Sequence, residues 1–247
     1  MGTEEKTLES RLEELLEQEK FPPPDEFREQ ANISDDSIYD EADKDYEGFW
    51  EQQAEALHWE QKWDQVLDWS DPPNAKWFVG GKLNVAYNCV DRHVEAGNGD
   101  RVAFHWRGEE GEERDVTYAD LHRDVQKFAN ALKDLGVEPG DVVGIFLPMI
   151  PEVAVAMLAC ARIGAIHNVV FGGFSATSVA ERMQFSDAKA LVTADATMRR
   201  GEPIPMGFLG CFLGTVLSKE RGNERSFHEL RVRSETGLGS ERALVEH

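Results

Sequence analysis

Residues 156–182, AMLACARIGAIHNVVFGGFSATSVAER, constrain the fold of this 247-residue chain more than any other stretch. An apolar run stops at Gly164, a β-branched run follows, and a turn at Gly172-Gly173-Phe174-Ser175 opens a second helical segment. Helix, strand, turn and helix in that order make a crossover unit, which brings successive strands side by side in parallel. The turn also sets backbone N–H groups beside the positive end of a helix dipole, a place that favours an anionic ligand.

The preceding segments keep the same rhythm. Thr117 to Asp120 has the character of a capping box, Leu121, Val125, Phe128 and Leu132 follow at spacings of four, three and four, and Gly136 closes the helix. Residues 142–147 read as a strand, Pro151 starts the next helix, and residues 153–161 are apolar on every side, so that helix is expected to be buried. Residues 166–171 form the next strand, Ser175 or Ser178 caps another helix, and residues 190–193 are a further strand. The expected fold class is α/β, a mostly parallel sheet with flanking helices.

Upstream, Leu8, Leu12, Leu15 and Leu16 stand at helical spacing and Pro22-Pro23-Pro24 stops that helix. Residues 45–69 are rich in Trp and Glu, with Phe49, Trp50, Leu57, Trp63, Val66 and Trp69 as expected core anchors because such side chains bury so much area. Leu83, Val85, Tyr87 and Val90 suggest a short ordered element before a turn at Asn98-Gly99-Asp100 and a strand at 102–106. Three regions result: a helical N-terminal extension at 1–75, an α/β domain at 76–205 and a tail at 206–247.

Charge narrows the partners. With 47 acidic against 26 basic residues the net charge is -21, which argues against nucleic acid or an anionic membrane as a partner. Cys89, Cys160 and Cys211 form no CxxC pair, so neither a disulfide framework nor a zinc site is expected. The N-terminus has no apolar signal core and many acids, which places the expected location in the cytoplasm.

Most familiar chemistry is excluded by motif. No GxGxxG follows a strand, and no GxxxxGK[ST], GxSxG or HExxH occurs. His93, His105, His122 and His167 are scattered and read as structural or surface groups, so neither a catalytic nor a metal-binding set is expected. What remains is the turn at 171–175 and the pair Arg199-Arg200, a local reversal of field in an acidic chain and a side-chain type suited to gripping phosphate.

Three strings carry a family resemblance: LNVAYNCVDRH at 83–93, LPMIPEVAVAMLACARIGAIHNVVFGGFS at 147–175 and ADATMRRGEPIP at 194–205. Together they resemble the N-terminal part of AMP-forming acetyl-CoA synthetases, within the adenylate-forming enzymes. The resemblance implies part of a large layered α/β domain and a reaction in which acetate and ATP give an acetyl-adenylate and pyrophosphate before transfer to coenzyme A. It further implies that Arg199, Arg200, Gly201 and Glu202 face the nucleotide end of coenzyme A, and that Gly172 and Gly173 lie beside its tunnel. Glu202 departs from the family, where that position is commonly basic.

After Pro205 the family pattern breaks, and so does the charge. Residues 206–247 hold six basic and six acidic residues, so the whole imbalance of -21 lies before them. The expectation is a frameshifted, poorly ordered tail. In the full-length family the ATP and magnesium sites, the acyl pocket and a lysine of the C-terminal domain lie beyond this region. The chain alone is therefore expected to be an inactive, truncated synthetase, completed only by a separately encoded remainder. Two alternatives stay open: a non-catalytic module that binds coenzyme A, and a fragment of a propionyl or other short-chain synthetase.

Overall fold

Residues 22–33, 35–206 and 228–232 are described by a computed structural model, within which the chain divides into two compact units. Residues 1–21 and most of the tail lie outside the described residues, and with them the expected leucine helix and the run Met206–Leu217 beyond its first residue.

The first unit holds residues up to Ala56 together with Val66–Trp77. It contains α1 (Asp25–Glu29), α2 (Ser37–Lys44) and α3 (Tyr46–Glu55). Asp45 caps α3 by accepting a bond from the Gly48 N–H at 3.0 Å. Tyr46, Phe49, Trp50 and Trp77 meet edge to face, with ring centroids 5.4 to 6.5 Å apart. Among the described residues these rings cover one another without a second layer over them, and Ala54 alone is buried in the unit. The expected anchors are thus corrected: Trp50, Leu57 and Trp69 are exposed, and Phe49, Trp63 and Val66 are half-buried. Strands β1 (Gln65–Asp71) and β2 (Asn74–Val79) form a hairpin turned by Pro72-Pro73, whose peptide bond is cis.

The second unit takes in Leu57–Gln65 and everything from Phe78 onward. Leu57–Gln65 is held in this unit by Trp59 and Trp63, which pack on Phe78 at 5.5 and 5.1 Å. Asn88, buried on a π-helical turn at Tyr87–Asp91, ties this segment down by exchanging bonds with the His58 backbone at 2.8 and 2.9 Å. Antiparallel β3 (Val102–Arg107) and β4 (Glu113–Thr117) follow, and β4 runs straight into α4 (Tyr118–Asp134). The capping box is present: Thr117 Oγ1 accepts from the Asp120 N–H at 3.1 Å and the Asp120 carboxylate accepts from the Thr117 N–H. At the other end Gly136, with φ of 77°, lets the Val137 N–H turn back to the Leu132 carbonyl.

The remaining elements alternate: β5 (Val142–Phe146), α5 (Pro151–Ile163), β6 (Ile166–Val169), α6 (Ala176–Phe185) and β7 (Ala190–Ala194). Their strands are parallel in the order β7-β5-β6, as the crossover pattern requires. Val143, Ile145 and Phe146 on β5 and Leu191 and Val192 on β7 are at most 1% exposed. Successive residues point to opposite faces, so both faces of the central strands are covered. Gly144 has a reason to lack a side chain, since a Cβ there would fall 2.1 Å from the Met183 sulfur of α6. The edge strand β6 is different, for Ile166 and Val169 are 55% and 46% exposed.

Two more pairs complete the unit. β8 (Ala196–Arg199) and β9 (Glu202–Pro205) form an antiparallel hairpin directly after β7. Within the tail, β10 (His228–Val232) adds a fourth parallel strand beside β7, in register from His228 opposite Ala190 to Val232 opposite Ala194. Among the described residues no helix is long and apolar enough to cross a membrane.

Candidate functional site

In an open parallel sheet the loops leaving the C-terminal strand ends converge on one edge, and ligands are bound there. Here β5 delivers the loop Leu147 to Ile150, β6 the turn at Phe171 to Ser175, and β7 the β8–β9 hairpin. β7 and β6 flank β5, so the last two turns leave the edge about 10 Å apart.

The hairpin presents Arg199, Arg200, Gly201 and Glu202 at its tip. Arg199 and Glu202 are ladder partners, and the two residues between them have φ of 56° and 77°, the pattern of a type I′ turn. Glycine adopts that conformation freely, while Arg200 is held in it by the two-residue connection. The base is closed by the Met206 N–H, which donates to the Asp195 carbonyl at 2.8 Å. Both arginines are exposed, and neither has an ion-pair partner among the described residues. Glu202 stands across from Arg199, where its charge offsets part of that guanidinium's field.

At Gly172 and Gly173 the missing side chain leaves room for a neighbouring group. A Cβ on Gly172 would lie 3.3 Å from the Leu147 carbonyl oxygen, so its missing side chain is used by the loop from β5. A Cβ on Gly173 would meet the Phe171 ring at 2.8 Å. Phe171 itself is 70% exposed and meets Phe174 edge to face at 6.4 Å, while the Arg182 guanidinium lies 4.3 Å from the Phe174 ring centre. Ser175 caps α6 by accepting from the Ser178 N–H at 3.3 Å, so one first-turn donor is taken within the helix.

One residue of the edge had no signal in the sequence. The Glu109 carboxylate, on the loop between β3 and β4, accepts a hydrogen bond from the Gly201 N–H at 3.1 Å. The two are 92 residues apart, and only the fold brings them together. The same hairpin is fastened to the edge by the Trp106 indole, which donates to the Met149 carbonyl at 2.7 Å.

The histidines serve other contacts. His122 and Arg162 hold the Asp91 carboxylate at 3.1 and 2.5 Å and so join the π-helical turn to α4 and α5. His105 bonds Asp115 at 2.6 Å, which holds that carboxyl below its ordinary range, and His93 lies 4.8 Å from the Tyr118 ring. His167 is exposed on β6. No group of three or more metal-ligating side chains occurs among the described residues. A hollow of about 720 Å³ lined by Gln126, Asn130, Lys133, Glu138 and Arg162 opens at the opposite edge. Helix C-termini point into it, which disfavours an anion there.

Comparison with known proteins identifies a family. The model of the AMP-binding enzyme family matches residues 90–222, and that of the acetyl-coenzyme A synthetase N-terminus matches residues 36–89. The chain is 54% identical over 195 residues to an acetyl-coenzyme A synthetase of Rubrobacter xylanophilus, covering 78% of this chain and 30% of that protein. It is 57% identical over 189 residues to the synthetase of Streptomyces avermitilis, with 76% and 29% covered. For the synthetase of Chlorobaculum tepidum the identity is 48% over 211 residues, with 83% and 32% covered. The chain thus spans about 30% of the length of the relatives it matches.

Proposed function

The chain belongs to the AMP-binding enzyme family, and from that premise we propose that it forms the N-terminal, coenzyme A-facing portion of an acetyl-coenzyme A synthetase. The carrying observation is the type I′ turn that exposes Arg199 and Arg200, unpaired among the described residues, at the C-terminal edge of the sheet. Coenzyme A carries a diphosphate and a 3′-phosphate, and a guanidinium offers paired N–H donors that match phosphate oxygens. A rigid two-residue turn holds these donors without the ordering cost of a long loop. The exposed Phe171 and Phe174 offer apolar surface along the same edge.

In the synthetase reaction, acetate attacks ATP to give an acetyl-adenylate and pyrophosphate, and the thiol of coenzyme A then takes the acetyl group and releases AMP. The turn contributes to the second half of this sequence by holding the coenzyme's phosphates. The residues that the resemblance assigns to ATP, magnesium and the acyl group are not matched among these 247, so these residues by themselves are expected to form no acetyl-adenylate. The protein works in the cytoplasm on small molecules.

Calorimetric titration with coenzyme A tests the reading. Arg199→Ala and Arg200→Ala are each expected to weaken binding about fivefold to tenfold, and Glu202→Arg to strengthen it. Equal affinity in all four proteins would remove the site. The chain given acetate, ATP and coenzyme A is expected to release no pyrophosphate above background; measurable turnover would overturn that part.

A further inference from the structure

The Glu109 contact has no role in holding the hairpin's ladder, and its chemistry points elsewhere. We propose that Glu109 is an internal competitor for the Arg199-Arg200-Gly201 turn, occupying with its own carboxylate the donor that an incoming phosphate would take. The proposal rests on the coenzyme A reading of that turn.

In a type I′ turn the ladder pairs the flanking residues, here Arg199 and Glu202, and leaves the Gly201 N–H directed away from the strands. A carboxylate oxygen and a phosphate oxygen are equivalent acceptors for such a donor and carry the same sign of charge. They cannot both occupy it. Glu109 Oε1 does so at 3.1 Å in this structure.

The loop that carries Glu109 is built to present it. The Gly108 N–H donates to the Glu112 carbonyl at 2.8 Å, and the Gly111 N–H donates to the Gly108 carbonyl at 3.2 Å. Gly111 has φ of 91°, so the tip is a tight reversal rather than a loose strand end. Its other carboxylates are used differently. Glu112 accepts from the Glu110 N–H at 3.1 Å, and Glu113 pairs with Arg107 at 3.2 Å. The Glu110 side chain has no partner among the described residues, which makes it a fair control of equal charge two residues from Glu112. An acidic tip set against a basic tip lowers the affinity of the turn for any anion, and coenzyme A must displace Glu109 to engage Gly201.

The test uses the 247-residue chain, with inorganic pyrophosphate and coenzyme A as separate probes in calorimetry. Glu109→Ala is expected to bind both probes about threefold to tenfold more tightly than Glu110→Ala, since each variant loses one charge but only the first frees the donor. In the free protein the Gly201 amide resonance is expected to move with Glu109→Ala and not with Glu110→Ala. Equal affinities in the two variants overturn the competition. A gain with pyrophosphate but no binding of coenzyme A leaves the competition standing and overturns the coenzyme A reading. Coenzyme A binding that depends on Arg199 without any gain from Glu109→Ala does the reverse. Failure of both probes in every variant overturns both.

Discussion

Tyr46, Trp50, Trp69 and Trp77 in the first unit are 38% to 53% exposed, whereas Val143, Ile145, Leu191 and Val192 in the second are fully buried. Both units are rich in large apolar side chains, so supply is not the difference. In the second unit a sheet lies between helices, and these four side chains are covered from the side facing away from their own strands. In the first unit Tyr46 and Trp50 of α3 meet Trp77 of β2 edge-on, and among the described residues each of these rings stays partly exposed. Layering, rather than hydrophobic content, decides which region has a core.

The sharpest way to break this comparison is a pair of truncations followed by denaturant unfolding. Ile145→Ala should cost about 2–5 kcal/mol, since it leaves a cavity in a fully covered strand. Trp69→Ala removes a larger side chain that is 53% exposed and should cost under about 1 kcal/mol. Equal losses would mean that the first unit has a core after all.

Helix capping gives a smaller effect. Thr117→Ala should cost about 1 kcal/mol at neutral pH, read from the same unfolding curves. Bonds from Thr117 and Arg123 hold the Asp120 carboxyl below its ordinary value of 3.8. A depressed carboxyl contributes stability above its unfolded value and loses it as pH falls through the folded one. The stability difference between Thr117→Ala and the parent chain should therefore shrink below pH about 4. A difference that stayed constant to pH 2 would deny the capping box a charged partner.

The smallest perturbation sharpens the contrast at single thiols. Burial pushes Cys160 of α5 up to about 12, while Cys89 is exposed. In a Cys211→Ser background a thiol reagent at neutral pH should label Cys89 in the native protein and Cys160 only after unfolding. Labelling of both at the same rate would place α5 outside the core.

Much of the second unit was legible from local signals. The capping box at Thr117, Pro151 at the start of α5, and Gly136 and Gly164 at helix ends each act within a turn or two of their own position. The alternation of helices and strands then required a parallel sheet. The aromatic segment was not legible, because a Trp-rich stretch reads alike whether or not a second layer exists to cover it. At the site, the sequence singled out Arg199 and Arg200, and the fold supplied the turn that exposes them. It also gave Gly172 a use, close approach to the Leu147 carbonyl, that no glycine pair announces by itself.

The sequence by itself determined the alternating helices and strands between Thr117 and Ala194, their parallel pairing and the family, since caps, periodicity and motif strings are properties of neighbouring residues. Only the tertiary structure decided which tryptophans are covered, that β10 joins the sheet beside β7, and that Glu109 reaches Gly201. Those outcomes depend on groups far apart in the chain, and their contact exists only once the backbone has closed around the sheet.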